Sequence, residues 1–225
     1  MKAIVIYIEN HKGSILQAKQ CIKSCKKFGY DVYTLKGCTP NDMKVDFDYP
    51  EIEDARIKIF KKENYKKYLA KKACIANQYR IWLHAIKLNE PILSLEHDAI
   101  AIKEWDNPEY DEMLVLNMKS AMSRTIFNST RAPESAYSQE GIRDISESGS
   151  KLIYNRNNKY TGSYLPPGLA SYVINPQAAK KLIDSLSVDG WEQGDYFVNT
   201  SKINIKYTTP DYFKLNENNL LTSHG

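Results

Sequence analysis

The chain has 225 residues, 42% of them hydrophobic, and a formal net charge of +4. That size and apolar content fit one domain with a full core, and so mild a charge does not by itself mark a nucleic-acid binder. No run approaches the roughly 20 apolar residues of a membrane span, which excludes that class. The 16 tyrosines, with plentiful Lys, Asn and Ile, suggest an AT-rich genome and say nothing about chemistry.

Ala3 to Ile8 reads as a first strand. It is too short for the apolar core of a signal peptide and is followed at once by Glu9-Asn10-His11. Ser14 to Phe28 has Ile15, Ala18, Ile22 and Cys25 at helical spacing, with Gly29 as a stop. Asp31 to Leu35 is a second strand ending at Lys36-Gly37-Cys38, and strand-helix-strand implies a parallel pair. Arg56 to Lys72 then holds eight Lys or Arg against one acid, Glu63, and Ala73 to Ile86 reads as a buried helix. Ile92 to Leu95 and Met113 to Met118 read as strands. Residues 119–165 show little hydrophobic periodicity, as a functional loop or small insertion does. Ala170 to Ile174 reads as a strand, Pro176 to Leu186 as a helix opened by proline, Gly190 to Asn199 as a helix, and Ile203 to Tyr207 as a strand. Residues 210–225 read as largely irregular. Alternating strands and helices make one α/β domain.

The four cysteines, Cys21, Cys25, Cys38 and Cys74, form no Cys-x-x-Cys and find no histidine at zinc-site spacing. They read as buried reduced thiols, and the expected location is cytoplasmic.

Chemistry concentrates at Glu96-His97-Asp98, where the apolar strand stops and Ala99 to Ile102 resumes it. Two carboxylates at the end of a buried strand are costly to desolvate without a cation or donors. Two apart in a strand they share a face, so both can point at one hard divalent ion, whose other ligands a nucleotide diphosphate supplies. The plainer reading is a charged turn. Ligands in open α/β sheets settle at the carboxyl ends of strands, which brings in Ile8, Glu9 and Asn10 after the first strand and Gly37 after the second.

Three segments in register resemble glycosyltransferase family 25, the lipooligosaccharide-type sugar transferases. Lys71 to Ile86 resembles the helix before the family's acidic motif, Ile92 to Ile102 its Ile-Leu-Glu-Asp-Asp strand, and Gly168 to Ile183 its Gly-x-x-x-Tyr segment and paired-alanine helix. The resemblance implies a GT-A fold, a Rossmann-like sheet binding a nucleotide-sugar (a UDP-sugar is favoured) with Mn²⁺ or Mg²⁺. By this matching Asp98 is the direct metal ligand, Glu96 holds the ribose or a metal-bound water, and His97 replaces the family's middle acid at the donor site. Asn77-Gln78 stand where the family has Ser-His. Asp195 is the first candidate for the base acting on the acceptor hydroxyl, with Glu192 as its rival, and the late His224 is a candidate to complete the metal shell.

For the acceptor, Lys62, Lys66, Lys67, Arg124 and Arg131, interleaved with tyrosines, suit a polyanion. That is either an anionic glycan core or DNA, including a hydroxymethylated base if the chain is a phage-encoded relative. The plainer reading is a solvated helix face. Two rivals come from other classes: a non-catalytic nucleic-acid-binding protein on the same scaffold, and a metal-dependent nucleotidyltransferase or nuclease, for which no second acid cluster is visible.

Overall fold

The computed structural model describes residues 1–41, 47–52, 61–119, 139–148 and 162–216. Its centre is a seven-stranded mixed sheet flanked by helices, the α/β class expected of the sequence. In chain order the strands are β1 (Lys2–Tyr7), β2 (Asp31–Lys36), β3 (Ile92–Glu96), β4 (Ala99–Ala101), β5 (Met113–Val115), β6 (Gly141–Asp144), β7 (Ser171–Ile174), β8 (Ile205–Thr209) and β9 (Phe213–Leu215). The helices are α1 (Lys12–Lys27), α2 (Tyr65–Leu88), α3 (Pro176–Asp189) and the single turn α4 (Gly194–Phe197).

Strand order in the large sheet is β2-β1-β3-β7-β5-β8-β6, and β4 pairs with β9 in a separate two-stranded sheet. β1 runs parallel to both β2 and β3, whereas β7 is antiparallel to β3 and β5. From β1 the chain goes first to the β2 side and then, through α2, to the β3 side. The crevice at the carboxyl ends of β1 and β3 is thus a topological switch point, where open α/β sheets hold ligands.

Strand alternation splits the core into two layers. Ile4, Ile6, Ile92 and Tyr172 face α2 and α3, while Ala3, Val5, Leu93, Leu95 and Val173 face α1 and the β4–β9 pair. Central strands buried on both faces explain the unbroken apolar run of β1. Side-chain caps fix three helix starts: His11 Nδ1 accepts from the Ser14 N–H, Asn64 from Lys67 and Asn175 from Ala178.

Several elements depart from the sequence reading. α2 begins at Tyr65, so the second half of the basic run is its first turns. The helix expected over 190–199 is only the turn α4. β6 and a 3₁₀ turn, Ile145–Ser148, lie within the stretch read as featureless. β6 is an edge strand held by backbone pairing to β8, which needs no apolar alternation. The tail holds β9, whose strand character comes from pairing with β4.

Candidate active site

β3 ends at Glu96, and His97–Asp98 form a turn into β4. The expectation that Glu96 and Asp98 share a strand face is thereby corrected, because alternation stops at Glu96. The turn nevertheless keeps the two acids together. Burial pushes the Glu96 carboxyl up to about 8, and the negative charges of Asp98 and then Asp195 push in the same direction. Glu96 follows Ile92 and Ser94 in the alternation and so points to the α2 side of the sheet. Burial lowers the pKa of His97, with Asp98 opposing and His11 adding to the effect.

Asp195 lies 99 positions further along the chain and reaches this edge through α4. Gly194 lets that turn dock closely: a Cβ there would stand 3.1 Å from Leu169 Cδ1 and in contact with Gln78 and Ile75 of α2. Upstream, Gly190 adopts φ +82, and a Cβ would meet the backbone of Glu51 and Ile52 at 2.7 Å. Asn199 closes the far end of α4, its amide donating to the carbonyls of Tyr196 and Phe197 at 2.9 and 3.2 Å. Glu192, the rival base, is buried at 4% exposure, whereas Asp195 is half-buried.

α2 supplies the wall. Lys71, Cys74 and Gln78 are spaced three and four apart and share a helix face. The Lys71 ammonium donates to Gln193 Oε1. Burial lowers its pKa, and Asp195 is the first charge raising it back. Cys74 is exposed, so the expectation that every thiol is buried holds only for Cys21, Cys25 and Cys38. Surrounding protein still pushes its thiol up to about 12, helped by Glu96 and Asp195. Neither Lys71 nor Cys74 stands out in the sequence. Lys71 belongs to a run that reads as one basic surface, and Cys74 has the pattern of any thiol on an apolar helix face.

Asn77 and Gln78 have structural partners. Asn77 brackets the Cys38 backbone, accepting from its N–H at 2.8 Å and donating to its carbonyl at 3.2 Å. Gln78 accepts from the buried Tyr172 hydroxyl, which in turn accepts from Trp82 Nε1 at 3.2 Å.

The remaining residues expected on the donor side lie at and just beyond the ends of β1 and β2. The Ile8 N–H donates to Ser14 Oγ at 2.8 Å, and Glu9, exposed beside Asn10, pairs with Lys36 at 2.5 Å across the tips of β1 and β2. Gly37 is buried, and its missing Cβ makes room for Ile8, Ile6 and Asn77, at 2.9 to 3.3 Å. That packing gives the glycine a role independent of any ligand. The Asn216 N–H donates to the Asp98 carbonyl at 2.9 Å, which ties the end of β9 to the acidic turn. His224 lies outside the described residues, as do Arg124 and Arg131.

Lys62, Lys66 and Lys67 are exposed at and just before the start of α2. Tyr65 beside them is 59% exposed and stacks on Tyr68, centroids 5.7 Å apart. Lys67 is close enough to Lys71 to oppose its charge, so a cationic line runs from this surface to the acids. Among the described residues no three His, Cys, Asp or Glu side chains are arranged to hold a metal ion by themselves. No helix among them is long and apolar enough to cross a membrane. No protein-family model matches the chain, and no curated protein matches it.

Proposed function

We propose that the protein is a glycosyltransferase of GT-A type that moves a sugar from a nucleotide-sugar to an acceptor hydroxyl. The observation that carries this reading is the convergence of Glu96, Asp98 and Asp195 at the switch-point edge, close enough for the two aspartate charges to add to burial in raising the Glu96 carboxyl. Like charges kept together at a place where sheets of this kind bind nucleotides ask for a cation and a phosphate.

The residues fit a metal site of one kind only. Glu96 and Asp98 supply the one or two carboxylates that Mg²⁺ and Mn²⁺ take alongside substrate phosphates, with Asp98 the direct ligand. An ion bound there would neutralise charge on the departing diphosphate. Ile8, Glu9 and Asn10 at the end of β1 and Gly37 beyond β2 border the nucleoside side, with Glu96 and His97 between them and the sugar. Asp195, carried by α4 to the neighbourhood of Glu96, takes the proton of the attacking hydroxyl. Glu192 is the weaker candidate because its burial leaves little access to an acceptor.

The acceptor is read as a polyanion, with DNA ahead of an anionic glycan. Exposed lysines beside an exposed tyrosine ring support that choice, since phosphate contacts and base stacking are what such a surface offers. The same patch favours one rival, a non-catalytic nucleic-acid-binding protein. A thermal-shift screen of nucleotide-sugars with and without Mn²⁺, followed by transfer to hydroxymethylated DNA and to glycans, separates the two. Failure of every nucleotide-sugar to bind would overturn the transferase reading.

A further inference from the structure

We propose that Lys71 is the positioning residue of this site: its ammonium ties α4 to α2 through Gln193 and sets a positive charge beside Asp195. The inference rests on the transferase reading only in naming the reaction that Asp195 serves.

The geometry is specific. Gln193 occupies the cap position of α4 but makes no side-chain capping bond. Its amide oxygen accepts from Lys71 instead, while its carbonyl accepts from the Tyr196 and Phe197 N–H groups at 2.9 Å each. Asp195 is two residues on, past the closely packed Gly194. Movement of Gln193 therefore passes to Asp195 through one rigid turn.

The charge balance points the same way. Lys71 and Cys74 of α2 lie within electrostatic reach of Asp195, Glu96 of β3 within reach of both Asp195 and Cys74, and Glu192 within reach of Lys71. Of these groups Lys71 is the cation. Its half-buried ammonium sits one turn inside the exposed Lys67, and burial works against its charge while Asp195 supports it. A lysine serving solubility alone would stay at the surface with its neighbours. This one bonds to the element that bears the proposed base.

Cys74 makes the field measurable without any sugar transfer. Among the four cysteines, all within the described residues, it alone is exposed, and Lys71 lowers its thiol pKa. The experiment compares wild type with Lys71→Met, Lys71→Arg and Gln193→Ala. It reads iodoacetamide alkylation of Cys74, UDP affinity with Mn²⁺, and kcat on the donor that wild type turns over. Lys71→Met should slow alkylation roughly threefold or more, because the thiolate is the reacting form. It should also lower kcat about ten- to a hundredfold by misplacing Asp195, with UDP affinity held within about threefold. Lys71→Arg should restore the alkylation rate and most of kcat. Gln193→Ala keeps the charge, so it should lower kcat with alkylation unchanged, and it stands in if Lys71→Met fails to fold. Unchanged alkylation in Lys71→Met would remove the field, and UDP affinity falling in step with kcat would make Lys71 a donor-binding residue; either result overturns the proposal. A wild type that turns over no nucleotide-sugar overturns the transferase reading instead, and alkylation still decides for Lys71.

Discussion

Glu96→Gln should stabilise the metal-free protein, and by an amount that grows with pH. The carboxyl has a pKa near 4.5 when free and about 8 in place. A raised pKa means the folded chain binds the proton more tightly than the unfolded chain. Stability is therefore greatest below 4.5, declines as pH rises toward 8, and is level beyond it. The slope in that window is about 1.4 kcal/mol per pH unit, which reaches about 3 kcal/mol at pH 7. Glutamine has nearly the same shape and no charge to desolvate, so it escapes the decline. For a chain of this length about 3 kcal/mol corresponds to roughly 6 to 12 °C in Tm. Partial solvent access to Glu96 favours the lower figure. Differential scanning fluorimetry of EDTA-treated protein from pH 5 to 8.5 would show the two melting curves close together at the acid end and separating upward. Adding Mn²⁺ with UDP should narrow or reverse the gap, because wild type then gains a partner for its carboxylate. A Tm difference that does not change with pH, or a variant less stable than wild type at pH 8 without metal, would refute the electrostatic account of the site.

The other predictions bear on roles in turnover. Asp98→Asn should abolish sugar transfer while leaving the metal-free protein folded and, above about pH 5, no less stable than wild type, because a charge that repels the Glu96 carboxylate is gone; near-normal rates at saturating Mn²⁺ would remove Asp98 as the metal ligand. Asp195→Asn should lower kcat by about 10²- to 10⁴-fold, the usual worth of a general base, while donor affinity is retained. If Glu192→Gln shows that loss and Asp195→Asn does not, the base is Glu192. Replacing Lys62, Lys66 and Lys67 together by alanine should flatten the salt dependence of DNA binding by roughly two to three units of log–log slope. Wild type that fails to bind DNA even at low salt would leave those lysines as a solvated surface.

What could be read from the sequence was what neighbouring residues decide. β1 announces itself by an apolar run that only a strand buried on both faces requires, and α3 by Pro176 at its start. The Glu96-His97-Asp98 turn stands out because charge interrupts such a run. What the sequence hides depends on residues far apart in the chain. β6 is an edge strand with mostly polar residues, and β9 exists because β4 lies beside it. The reading of Glu96 and Asp98 as strand neighbours fails for a related reason: β4 leaves the large sheet to pair with β9, so the chain must turn immediately after Glu96.

The site follows the same division. One acid pair is local, and its third member arrives only because Gly194 lets α4 settle against Leu169 and α2. Lys71 belongs by composition to a surface run yet is half-buried beside α4, and no periodicity distinguishes it from Lys67 one turn away. The difference is made by Gln193, 122 positions later, which accepts its hydrogen bond. A half-buried lysine within electrostatic reach of Asp195 and Glu192 is a physical reason for those two acids to be tolerated at a crowded sheet edge. Burial and the charges of Asp98 and Asp195 nevertheless hold the Glu96 carboxyl up at about 8. That residual cost is what a bound cation would relieve, and it is the quantity the pH-dependent melting of Glu96→Gln measures directly.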